Sequence, residues 1–235
     1  MRVDGRNSGE MREVRIRAGV NPYAEGSAEI EFGNTKVLVT ASIEKDLPDW
    51  LRERGTGWIT AEYGMLPRAT HTRNKREAAS GKQNGRTLEI QRLIGRSLRQ
   101  AIELKSPISI RIDCDVIVAD GGTRTASISG AWVALKLALQ SAERSGLISP
   151  GYELHQVAAV SVGVVKGEEL LDLCYAEDSK ADFDLNLVYR QDGKIIEIQG
   201  CGESAPLELE KIYALSKLAK IGCDRIFEAQ NRALS

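Results

Sequence analysis

Histidine is nearly missing from this 235-residue chain: only His71 and His155 carry an imidazole. Chemistry built on a histidine base has little to draw on. Cysteine is equally thin. Cys114, Cys174, Cys201 and Cys223 stand far apart with no CxxC pair, which argues against a zinc site or a disulfide framework and predicts reduced, mostly buried thiols. No run nears the ~18 apolar residues of a membrane span. No Pro/Gly/Ser linker, low-complexity tract or clear repeat divides the chain. The opening Met1-Arg2-Val3-Asp4-Gly5-Arg6 is charged where a signal peptide would be apolar. Together these absences predict a cytosolic (cytoplasmic) chain forming one domain over residues 1–235, with no membrane partner.

Net charge is also nearly absent, at −1, yet its distribution is uneven. From Arg68 to Arg99 nine Lys/Arg face only Glu77 and Glu89. A local positive excess inside a neutral protein points to a polyanionic partner. Arg92, Arg96 and Arg99 fall on the polar side of a helical pattern, where pairing with acids is the simpler reading. The stretch Gly64–Gly85 is poor in apolar residues and rich in arginine, and reads as a mobile basic arm.

Met11–Arg17, Ala28–Phe32 and Lys36–Ile43 alternate as strands of an antiparallel meander. Helical periodicity runs over Thr87–Leu104 and Thr125–Ser145, with an alternating strand at Ile108–Val118 between them. Four short strands follow at Val157–Val165, Leu170–Tyr175, Phe183–Val188 and Ile195–Gln199. A helix over about Leu207–Ala219 and another from Arg225 close the chain. Strands and helices do not alternate regularly, so the pattern indicates an α+β fold with helices covering mixed sheets.

Two glycine-to-helix junctions carry arginine. In Asp120-Gly121-Gly122-Thr123-Arg124 the glycines permit positive φ and close approach of a ligand, and the following helix offers unpaired N–H groups. Arg124 adds a planar fork suited to two oxygens of a phosphate. Asn84-Gly85-Arg86-Thr87 repeats the design at a second helix start. The acidic stretch Glu177–Asp184 supplies carboxylates: Asp178 in a connection, and Asp182, Asp184 and Asn186 on one face of the next strand. Such a pair either holds a hydrated Mg²⁺ or protonates a leaving oxygen. Asp113 and Asp115 are alternative oxygen donors.

Several ordered blocks now coincide. Arg2–Arg6, Gly57–Arg68, His71–Asn74, Gly85–Ile94, Ala119–Ala126 and Tyr175–Ser179 together resemble the ribonuclease PH family over essentially the whole chain. Asp182 and Phe183, and Cys201–Ala205, match its pattern more loosely. The resemblance implies an RNase PH fold and a phosphate-dependent 3′-to-5′ exoribonuclease that trims tRNA precursors and releases nucleoside diphosphates. It implies inorganic phosphate as co-substrate, bound by Arg86 and by Gly122, Thr123 and Arg124. It makes Asp178 and Asp184 the catalytic or Mg²⁺-binding pair, and Arg68, Arg73 and Arg76 the contacts to RNA. It further implies a homohexameric ring, a trimer of dimers, acting on RNA and not DNA. The alternative is a non-catalytic or exosome-type RNA-binding ring subunit, disfavoured because both arginines and both aspartates are present.

Overall fold

The computed structural model describes residues 2–44, 47, 51, 55–202 and 206–235. The expected meander forms as β1 (Val14–Ala18), β2 (Gly26–Phe32) and β3 (Thr35–Glu44), antiparallel throughout. Alternation sets the faces: Ile30, Val37, Val39 and Ala41 are buried, while Glu29 and Glu31 are not. Strand β4 (Trp58–Met65), which periodicity did not single out, lies at the sheet edge. It runs parallel to β5 (Ser109–Val118), giving the order β1-β2-β3-β5-β4. The parallel step needs a crossover, and α2 (Gly85–Arg99) supplies it, packing on β4.

The crossover segment before α2 is not a detached arm. Ala69 is buried and its carbonyl accepts the Ala119 N–H at 2.8 Å; Asn74 N–H bonds Pro67 O at 2.8 Å. One helical turn, α1 (Glu77–Ser80), follows. The basic side chains thus hang from a loop moored to the strand β5 exit.

Helix α3 (Thr123–Arg144) runs between the sheets, contacting β2 and β3 on one side and β6 (Val157–Val165) on the other. Its small residues let neighbours come close: a Cβ on Gly130 would stand 2.7 Å from the Ile30 side chain. The second sheet is wholly antiparallel, ordered β7-β6-β8-β9, with β7 (Glu168–Leu171), β8 (Phe183–Arg190) and β9 (Ile195–Gly202). The strand expected over Leu170–Tyr175 stops at Leu171. Asp172 turns into the left-handed region, φ 56°, and Tyr175–Asp178 winds into the single turn α4. Residues 203–205, part of the looser-matching stretch after β9, lie outside the described residues.

The chain closes on one helix, α5 (Leu209–Leu234), rather than two. Gly222 interrupts the apolar pattern but not the helix. A Cβ there would sit 2.8 Å from Leu171 Cδ1, so the gap in side-chain bulk is a packing contact. One continuous apolar core draws on both sheets, α2, α3 and α5. Cys114, Cys174 and Cys223 are buried, Cys201 is exposed, and all four are free thiols.

Candidate active site

A cavity of about 970 Å³ opens where the two sheets meet, and both glycine–arginine junctions and both aspartates line it. Strand β5 delivers the chain into Gly121 and Gly122, with φ of 75° and 67°. Gly122, not Thr123, is the N-cap of α3, so Thr123 is already helical. The buried Thr123 hydroxyl shares a 2.9 Å hydrogen bond with Tyr63 Oη from β4. That bond sets the edge strand against the start of α3. On the opposite wall, the Asn84 side chain caps α2 by accepting the Thr87 N–H at 2.7 Å, which places Arg86 in the first helical turn.

Arg124 is nearly enclosed, its side chain 14% exposed. Nη1 donates to Gln199 Oε1 at 2.5 Å and lies 3.5 Å from Glu89 Oε1. The Gln199 amide donates in turn to Glu89, closing a triangle across β9, α2 and α3. Burial disfavours the Arg124 charge and the like charge of Arg86 adds to this; Glu89, Asp184 and Tyr63 act in the opposite sense, and its pKa lies below the usual arginine value. Burial likewise raises the Tyr63 pKa, although Thr123, Arg86 and Arg124 pull it down. Two cations gathered in one recess form a place an anion would relieve.

The acids come from the second sheet. Asp178 ends α4, and Asp184 and Asn186 share the cavity face of β8 while Leu185 and Leu187 are buried behind them. Asn186 Nδ2 donates to Asp184 Oδ2 at 3.4 Å. Asp182 precedes the strand and is not among the cavity residues. Asp113 and Asp115 lie elsewhere, on the outer face of the first sheet beside Glu62, so the cavity draws no oxygen from them. There burial raises both carboxyl pKa values, and at Asp113 the charges of Glu62 and Asp115 add to it.

Among the described residues no three His, Cys, Asp or Glu side chains gather as a metal cage. Two carboxylates beside an amide in an open cavity still suit Mg²⁺, a hard ion that keeps several waters and uses one or two carboxylates. Arg68, Arg73 and Arg76 are exposed and do not line the cavity, but Thr70, His71, Thr72 and Asn74 from the same loop do.

Sequence reasoning overlooked Gln199, Glu89 and Tyr63. Each sits on a polar or edge position whose partner comes from another element, a signal that appears only once strands and helices are placed. It also overlooked a buried ionic network behind the cavity. Arg2 forks onto Glu177 at 2.8 and 2.6 Å, and Arg12 forks onto Asp172 at 2.8 and 2.7 Å.

Solved structures share this fold. Rrp46 from rice (Oryza sativa) superposes with a TM-score of 0.80 at 20% identity over the whole of both chains. A chain of the Archaeoglobus fulgidus exosome, solved with RNA bound to its active site, gives 0.77 at 24% identity, covering 97% of this chain and 91% of that one. An archaeal exosome core chain gives 0.73 at 23%, covering 100% and 91%. Among the described residues, no helix is long and apolar enough to cross a membrane. Residues 10–139 match the 3′ exoribonuclease family, domain 1, and residues 155–222 match its domain 2. With more than half its length inside the first and a further stretch inside the second, the chain belongs to the RNase PH-type 3′ exoribonuclease family.

Proposed function

We propose that this protein is a phosphate-dependent 3′-to-5′ exoribonuclease that shortens RNA one nucleotide at a time and releases nucleoside diphosphates. The observation that carries the reading is the meeting of Arg86 and Arg124, with the Arg124 charge disfavoured by burial, opposite Asp178 and Asp184 in one cavity. A hydrolase would have no use for a second anion cradle beside the scissile group.

Arg86, the Arg124 fork and the first amides of α3 at Thr123 hold inorganic phosphate. Gly122 lets it approach the backbone. Held there, a phosphate oxygen attacks the phosphorus of the last diester in line. A new P–O bond forms as the bond to the ribose 3′ oxygen breaks. Asp184 is the group that returns a proton to that oxygen, with Asn186 fixing its orientation. Positioning and charge neutralisation account for most of the acceleration. In the alternative use of the same pair, with both carboxyls ionised, Asp178 and Asp184 would hold a hydrated Mg²⁺, which when bound would supply positive charge near the departing oxygen in place of that proton. A phosphoric anhydride replaces a diester, so the reaction runs readily in reverse.

Arg68, Arg73 and Arg76 engage the RNA backbone beyond the cavity mouth. The preferred substrates are tRNA precursor 3′ ends, met in the cytoplasm by a homohexameric ring of this single-domain chain. Likeness to exosome chains favours a second reading, a ring subunit that works only beside a different chain. One experiment separates the two. Purified protein is incubated with 3′-extended RNA, with and without inorganic phosphate and Mg²⁺, and the mononucleotides are identified. Nucleoside diphosphates made only with phosphate are expected. Monophosphates in phosphate-free buffer overturn the proposal, and inactivity of the chain alone favours the second reading.

A further inference from the structure

Behind the cavity, and lining none of it, Arg12 and Asp172 form a buried pair that joins the two walls of the site. Asp172 is fully buried, a position a carboxylate holds only when its charge is matched. It accepts the Arg12 backbone N–H at 2.9 Å, Nε at 2.8 Å and Nη2 at 2.7 Å. Its left-handed backbone turns the chain out of β7 so that the carboxylate faces inward onto Arg12.

The rest of the Arg12 guanidinium faces the other way. Nη1 donates to Asp120 O at 2.5 Å, and Nη2 reaches Gly121 O and Leu173 O, each at 3.4 Å. Because a peptide unit is planar, fixing a carbonyl fixes the N–H of the next residue. Arg12 therefore sets the direction of the Gly121 amide, at the mouth of the cradle, and shares two others: the Gly121 carbonyl before the Gly122 amide also accepts the Thr35 hydroxyl at 2.6 Å, and the Cys174 amide at the start of α4 also donates to Glu177 Oε2 at 3.1 Å. The two segments touch: a Cβ on Gly121 would lie 2.5 Å from Leu173 O and 2.8 Å from Tyr175 N. A second tie runs beside the first, from Tyr175 N–H to Asp120 Oδ1 at 3.2 Å. Asp178 stands one helical turn beyond Tyr175.

We propose that the Arg12–Asp172 pair is a positioning element that registers the phosphate cradle of the first sheet against the carboxylates of the second. It touches no reacting atom and acts through the peptide planes it holds. The inference rests on the phosphorolytic reading given above. Lysine keeps the charge of Arg12 but cannot span Asp172, Asp120 and Gly121 at once.

The test compares wild type with Arg12→Lys by calorimetric titration of inorganic phosphate and by kinetics at varied phosphate. Melting and RNA binding are followed alongside. Expected for Arg12→Lys are phosphate affinity weakened about tenfold, kcat lowered, and binding of the RNA 3′ end within about twofold of wild type. Ile226→Val, a core change in α5 that does not line the cavity, should lower the melting temperature without moving the phosphate KM, separating registration from general loosening. If Arg12→Lys does not fold, Asp172→Asn decides the matter: it keeps the side-chain shape, takes the charge from the Arg12 fork, and should shift KM and kcat in the same directions by about threefold. Unchanged phosphate affinity and kcat in the folded variants, with wild type binding phosphate normally, overturn the positioning role alone. A wild type that binds no phosphate brings down the phosphorolytic reading and this role with it.

Discussion

At Arg124, burial and the neighbouring Arg86 charge both weigh against the guanidinium's proton, while Glu89 and Gln199 hold its Nη1. A phosphate entering the recess takes over a fork that is now occupied by one carboxylate and one amide. Replacing Arg124 removes that fork but leaves the surface that meets RNA. Arg124→Ala is therefore expected to raise the phosphate KM by roughly 10–100-fold, the scale of one or two charge-assisted hydrogen bonds, with RNA affinity unchanged. Steady-state kinetics at varied phosphate measure it, and an unaltered phosphate dependence would remove Arg124 from the site. The arginine itself was legible in the sequence, because glycine, then arginine, then a helical pattern is a local arrangement. Its holders Glu89 and Gln199, separated by 110 positions, were not.

Among the elements, the loop between β4 and α2 carries Arg68, Arg73 and Arg76 outward while Thr70, His71, Thr72 and Asn74 line the cavity. Exposed cations on such a loop attract a phosphate backbone without reading bases. Arg73→Ala should weaken RNA binding and lower the salt-dependence slope by about one, while turnover of a dinucleotide stays near wild type. Binding titrations across salt concentrations, paired with dinucleotide turnover, provide the check; a collapse of dinucleotide turnover would place Arg73 at the reaction centre. Periodicity located β1–β3, β5 and α2 well, because each has one buried face. It missed β4, a parallel edge strand whose burial does not alternate cleanly, and split α5 at Gly222, whose missing side chain is a close contact with Leu171 and Val160.

For the whole molecule, the site exists only while the two sheets hold their relative placement, and buried ion pairs fasten the N-terminal segment across them. Glu177 shows the pH consequence. Burial pushes its carboxyl pKa up, but the Arg2 fork and the Cys174 N–H outweigh this and hold it below the ordinary value. A depressed folded pKa adds stability that is present above the unfolded value, about 4.3, and is lost as pH falls through the folded one. Glu177→Gln should lower the melting temperature on the order of 10 °C at pH 7, as expected for breaking a buried pair. The gap from wild type should begin to narrow as pH falls below about 4. Melting curves from pH 3 to 8 test this, and a constant gap would show that Glu177 acts by shape and not by charge.

The residues alone determined the fold class, the order of most strands and helices, and the two glycine–arginine junctions. Each of these is written in short-range chemistry: alternation, helical spacing, and the backbone freedom of glycine. Tertiary structure alone decided that Arg86 and Arg124 share a recess with Asp178 and Asp184, and that Asp113 and Asp115 do not. It also decided that Arg12, 160 positions from Asp172, ties the walls together. Such placements depend on long-range packing of α3 between two sheets, and no local pattern encodes which distant side chains that packing brings within hydrogen-bonding distance.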